Sequence, residues 1–112
     1  MPLITVQTSA TSIPKSNEFL KALSAEISKL TRKPEQYVMA ILNIGVPMSF
    51  AGSSEPSCYI EIKSIGALNP SQMSAAICEL VNIKTGINSN RIYISFEDVP
   101  ASLWGWNGRT FG

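Results

Sequence analysis

The chain has 112 residues, of which 45% are hydrophobic and 15% charged, with a formal net charge of +1 and no histidine. This length suits one domain with a real core, while the charge fraction falls below the ~25% of ordinary soluble domains and points to surface buried against another subunit. The near-neutral balance gives no nucleic-acid footprint, no apolar run approaches the ~20 residues of a membrane span, and the start lacks the basic and apolar regions of a signal peptide, so a soluble, cytoplasmic protein is expected.

Pro2 follows Met1 and opens a strand, Leu3 to Thr8, whose residues alternate and are rich in β-branched types. An initiator methionine is normally trimmed before a small residue, and the chain then begins with a secondary amine. Such an α-amino group titrates near ~7.7–8.0 when unperturbed, close to neutral, and is a nucleophile or base that needs no side chain. On these residues alone Pro2 is either an ordinary chain start or a catalytic amine. If Met1 is retained, the Pro2 nitrogen is an amide and not a base.

A loop, Ser9 to Ser12, precedes a helix predicted from Pro14 to Thr31, with the proline in the first turn. Phe19, Leu20, Leu23, Ile27 and Leu30 give it one apolar face. Tyr37 to Ile44 then reads as a buried strand. The order repeats in the second half. Cys58 to Ser64 is a strand, and Asn69-Pro70-Ser71-Gln72 starts a helix, with Asn69 as cap and Gln72 placed to close a capping box. Met73, Ile77, Leu80 and Val81 form its apolar face, Gly86 ends it, and Arg91 to Glu97 is the returning strand.

The fold class is therefore α+β: tandem βαβ units with right-handed crossovers, forming a four-stranded mixed sheet with two helices on one face. Residues 1–112 make a single domain of two pseudo-repeats, about 2–50 and 57–112. Two helices cover only one face. Val38-Met39-Ala40-Ile41-Leu42 is apolar throughout, so the other face is expected to carry apolar side chains as well and to be covered by another copy of the chain. In the tail, Trp104, Trp106 and Phe111 crowd around Asn107-Gly108, a hairpin-type turn. They complete the core, form a subunit contact or wall a pocket.

The absence of histidine removes Ser-His and Cys-His nucleophile pairs and most zinc sites. Cys58 and Cys78 form no Cys-x-x-Cys motif and read as buried, inert thiols. No cofactor or metal is expected. Chemistry falls to an amine, a carboxylate, a lysine or a tyrosine.

Several motifs then follow one another along the whole chain: Met1-Pro2-Leu3-Ile4, Lys33-Pro34-Glu35-Gln36-Tyr37, Phe50-Ala51-Gly52-Ser53-Ser54-Glu55-Pro56, Ser64-Ile65-Gly66, Arg91-Ile92-Tyr93-Ile94, Gly105-Trp106-Asn107 and Thr110-Phe111. Their order resembles the macrophage migration inhibitory factor and D-dopachrome tautomerase family of the tautomerase superfamily. The resemblance implies a homotrimer whose sheets line a central barrel, with active sites at the subunit interfaces. It implies a keto–enol tautomerase, an intramolecular oxidoreductase acting on phenylpyruvate-like aromatic 2-keto acids or dopachrome-like substrates, with Pro2 as general base. Lys33 and the backbone of Ile65 then hold the substrate carboxylate or carbonyl. Tyr93 and Ser95 come from the neighbouring subunit, and Trp104, Trp106 and Phe111 wall the pocket. The resemblance also leaves open non-classical secretion, and a second function: a cytokine-like signalling or binding protein with a vestigial pocket, whose receptor surface leaves no readable motif.

The chemistry is coherent on its own terms. An amine of pKa near 8 is only about one-tenth free at neutral pH, and one of pKa 6 about nine-tenths free. An apolar aromatic pocket and the cation of Lys33 both push the pKa down, and Lys33 also offsets charge on an enolate oxygen. Each residue has an ordinary reading too: Lys33 as partner of a helix C-terminal dipole, Tyr93 as core, Ile65-Gly66 as a strand end. Where the family's mammalian cytokine has a Cys-x-x-Cys pair, this chain has Ser57 and Ile60, which leaves thiol–disulfide activity unsupported. Ser95 stands in place of Asn, shortening or losing a substrate hydrogen bond, and Trp104 in place of Val makes a bulkier pocket rim.

Overall fold

Alternation decides the architecture. The computed structural model describes residues 1–112, and its first strand, β1 (Leu3–Thr8), buries every second residue: Ile4, Val6 and Thr8. β3 (Cys58–Ser64) does the same with Cys58, Ile60, Ile62 and Ser64. Between them lie α1 (Ser16–Thr31) and β2 (Met39–Asn43), and after them α2 (Pro70–Thr85) and β4 (Ile92–Asp98). The four strands form one sheet in the order β2-β1-β3-β4. β1 runs parallel to β2 and β3 parallel to β4, while β1 and β3 are antiparallel. The sheet is thus mixed, built from two βαβ units joined edge to edge, as the sequence leads one to expect.

One face of this sheet meets the helices. Phe19, Leu23 and Ile27 on α1, and Met73, Ile77 and Val81 on α2, recur at four-residue spacing and share a core with Ile4, Val6, Ile60 and Ile62. Each fully buried side chain of this size contributes roughly 1.5–3 kcal/mol. α2 stops at Gly86, whose φ of 79° is left-handed and whose N–H donates to the carbonyl of Asn82 at 2.8 Å. A final ribbon pairs β5 (Gly105–Trp106) with β6 (Arg109–Thr110) across Asn107-Gly108, both at positive φ, which is the twist a two-residue hairpin demands. No helix is long and apolar enough to cross a membrane.

The structure departs from the sequence reading in several details, among them the last strand of the sheet, which spans Ile92–Asp98 rather than Arg91 to Glu97. α1 begins at Ser16, not Pro14, because Lys15 takes a left-handed conformation and Pro14-Lys15 form a turn ahead of the helix. Glu35–Tyr37 form a 3₁₀ turn, so the strand predicted from Tyr37 begins only at Met39. The capping box at α2 does not close. The Asn69 N–H points to the sulfur of Met73 (3.4 Å), and the Gln72 Oε1 accepts from the Asn69 Nδ2 (3.0 Å) rather than from the main chain. The open face of the sheet carries apolar side chains, as expected, but mixed with polar ones. Met39 and Ile41 do face outward on β2, but β1, β3 and β4 present Thr5, Gln7, Tyr59, Glu61, Lys63, Tyr93, Ser95 and Glu97 on that side. The run Val38–Leu42 puts apolar side chains on both faces of β2, while the neighbouring strands alternate with polar ones.

Candidate functional site

β1 is an interior strand, so the residue that leads into it is held firmly. Pro2 is wholly buried, and its carbonyl accepts the N–H of Met39 at 3.1 Å. The chain emerges there into a cavity of about 660 Å³. Met1 and Pro2 form one wall. The tail forms another, since the 3₁₀ turn Ala101–Leu103 and the β5-β6 ribbon bring Trp104, Trp106 and Phe111 to the same space. Trp106 and Phe111 stack with planes 9° apart and centroids 6.1 Å apart, and Tyr37 meets Trp106 edge-on at 6.0 Å. Ten of the sixteen lining residues are hydrophobic, so a charge inside is poorly solvated.

Lys33 follows the end of α1, where Arg32 turns left-handed and Pro34 prevents continuation. Its Nζ reaches across to the second unit and donates to the carbonyl of Ile65 at 3.4 Å. That places a cation beside the chain terminus. The α-amine of Met1 is held below its ordinary pKa, first by burial and then by the charge of Lys33.

Of the residues singled out in the sequence, the fold gathers Pro2, Trp104, Trp106 and Phe111 around one cavity, with Lys33 and Ile65 joined to each other nearby. Tyr93 and Ser95 lie outside that cavity, on the open face of β4. Tyr93 is 66% exposed and packs edge-on against Phe50 at 4.7 Å, and the Ser95 hydroxyl pairs with that of Tyr59 at 2.8 Å. The cavity also holds residues that sequence reasoning passed over: Met39, Lys63, Glu97 and Leu103. Lys63 and Glu97 are register partners at the parallel ends of β3 and β4, and only the strand order brings them to the terminus.

Neither cysteine offers a reactive thiolate. Burial, and then the neighbouring Cys78, push the Cys58 thiol up to about 12, and burial raises Cys78 as well. Cys58 is buried and Cys78 half-buried, and both are free thiols. No group of three or more His, Cys, Asp or Glu side chains is placed to hold a metal ion. What remains is a chain-terminal nitrogen at the wall of an aromatic, weakly polar cavity, with a lysine beside it.

Comparison with known proteins gives a consistent answer over the full length. The family model for macrophage migration inhibitory factor (MIF) matches residues 1–112. A macrophage migration inhibitory factor homolog from Brugia malayi is 36% identical, covering 100% of both chains, and the rat protein of that name is 32% identical over 99% of each. The crystal structure of a homologue from Prochlorococcus marinus superposes with a TM-score of 0.94 at 50% identity, covering 98% of this chain and 99% of the other. The Trichinella spiralis structure gives a TM-score of 0.91 at 34% identity, covering 97% and 99%.

Proposed function

The chain belongs to the macrophage migration inhibitory factor family, within the tautomerase superfamily, and from that premise we propose that it is a keto–enol tautomerase of aromatic 2-keto acids such as phenylpyruvate, with the Pro2 amine as general base once Met1 is removed. The observation that carries this reading is the depressed α-amine at the cavity wall: burial and Lys33 already lower the pKa of the terminal nitrogen of Met1. The nitrogen of Pro2 lies one residue deeper, and the same two causes act on it when it becomes the terminus.

The reaction follows from that arrangement. The free amine takes a proton from the carbon next to the keto group, and negative charge moves to the carbonyl oxygen. Lys33, whose charge acts on the terminal amine, offsets that charge. The ammonium then returns its proton to the oxygen, so the product is the enol isomer and no other reactant is consumed. A base with pKa near the working pH serves both directions. Trp104, Trp106, Phe111 and Tyr37 bound the space into which the aromatic ring fits. The proposal includes a homotrimer in which Tyr93 and Ser95 of an adjacent copy complete the site.

One comparison tests it. The chain with Met1 removed should tautomerise phenylpyruvate, and the chain with Met1 retained should lose most of that rate, since loss of a general base typically costs ~10²–10⁴-fold. Equal rates from the two forms would show that Pro2 is not the base and would favour a binding or signalling role. Light scattering should return three chain masses, and a stable monomer at micromolar concentration is incompatible with a site completed by a neighbour.

A further inference from the structure

Ser64 ends β3 with no exposed surface, and its hydroxyl is buried without a hydrogen-bond partner. Such orphans are rare in folded proteins and call for a reason. The strand pairing supplies one. The carbonyl of Ser64 accepts the N–H of Val99 from the β4 side at 2.9 Å, so its main-chain groups face away from β1. The Pro2 carbonyl likewise faces away, toward Met39. The antiparallel register pairs Leu3 with Lys63, and its next step sets Pro2 opposite Ser64. This is a pair without ladder bonds, the kind in which Cα atoms approach to ~4.5 Å and side chains lie closest. Both side chains are buried, on the helix-facing side. Carried one step further, the register makes Pro2 the cross-strand neighbour of the residue that bears the orphan hydroxyl.

While Met1 is attached, the ring of Pro2 has nothing to offer. An acylated proline nitrogen has no N–H and no basic lone pair. Removal of Met1 turns it into a secondary amine with both. We propose that Ser64 is the positioning residue for the Pro2 amine: its hydroxyl oxygen accepts one N–H, which aims the remaining valence of the nitrogen at the cavity. The inference rests on the tautomerase reading for its purpose, though not for its test. In the neutral amine the single N–H goes to Ser64 and the lone pair faces the substrate. In the ammonium form the transferred proton occupies the cavity side. An acceptor oxygen favours the charged form, so Ser64 works against Lys33 in setting the pKa.

The test is a cycle of four proteins, Ser64 and Ser64→Ala, each with Met1 retained and with Met1 removed, followed by thermal unfolding. With Met1 retained, Ser64→Ala deletes an unpaired buried hydroxyl and should raise the midpoint. With Met1 removed, it deletes a made bond and should lower it. In the processed enzyme Ser64→Ala should also reduce kcat several-fold at unchanged KM and move the acidic limb of the pH profile to lower pH, and Ser64→Thr should restore both. A midpoint change of the same sign in both forms overturns the inference, since the hydroxyl then has a partner independent of the terminus. The cycle is read by unfolding, so it stands apart from activity. A processed wild-type chain inactive on phenylpyruvate overturns the tautomerase reading alone.

Discussion

The Nζ of Lys33 lies 3.4 Å from the carbonyl oxygen of Ile65. This single contact joins the end of the first helix to the end of the third strand, and it holds a positive charge beside the chain terminus. The terminal amine is depressed by burial first and by Lys33 second.

Lys33→Ala should therefore act in two ways. The amine pKa rises toward its ordinary value, so a smaller fraction is free at a given pH and the acidic limb of kcat/KM moves to higher pH. An anionic keto acid also loses its cation, and KM should rise roughly tenfold, the size of one charge-assisted hydrogen bond of ~1.5 kcal/mol. A pH–rate profile of the processed enzyme with phenylpyruvate checks both. An unmoved limb would separate Lys33 from the base.

Trp104 is half-buried and lines the cavity beside Trp106. Trp104→Val should widen the rim and shift preference toward bulkier aromatic keto acids, through ~1–3 kcal/mol of pocket contact. The ratio of kcat/KM for a large and a small substrate measures this directly. An unchanged ratio means that Trp104 does not touch the substrate.

Arg91 organises the loop between β2 and β3. Its guanidinium donates to the carbonyls of Phe50 (2.8 Å) and Glu55 (2.7 Å), with longer contacts to Ser53 and Pro56 (3.4 Å each), and it covers the Phe50 ring at 5.0 Å. Arg91→Ala should cost ~1.5–3 kcal/mol, as for hydrogen bonds from a charged group. Arg91→Lys should recover little of it, because an ammonium cannot fork between carbonyls. Urea midpoints of the three proteins give the answer.

Cys58 gives a pH dependence with a definite sign. Its thiol is raised to about 12 in the folded chain from an ordinary value of 9.0. Between those values the unfolded chain releases the proton while the native chain keeps it. The contribution of Cys58 to stability is thus complete below pH 9 and is lost as pH rises toward 12. Cys58→Ala should flatten the fall in stability across that window. At pH 8 the native thiol should resist iodoacetamide until denaturant is added.

The strand and helix order was legible because period-2 and period-4 patterns report which face is buried, and β1, β3 and α2 follow them closely. The hairpin at Asn107-Gly108 was legible because that dipeptide tolerates positive φ. The left-handed Lys15 was not, since nothing local favours that conformation in a lysine. The apolar side chains on the open face were legible in the run Val38–Leu42, which is apolar at every position. Among the cavity residues, Pro2, Trp104, Trp106 and Phe111 stood out by position or type. Lys63 and Glu97 carry no local signal, and their approach to the terminus depends on the order β2-β1-β3-β4, which is a property of long-range pairing.

Chain ends usually fray, and a group placed there gives up positional definition to thermal motion. Pro2 is an exception, since its carbonyl accepts the N–H of Met39 beside the β1-β2 ladder and its side chain is wholly buried. The entropy of fixing the terminal nitrogen is thus spent when the sheet folds, and none remains to be lost when a substrate arrives. Loss of activity on heating should then coincide with loss of the sheet, in one transition, with no prior stage in which a folded protein carries a loosened terminus.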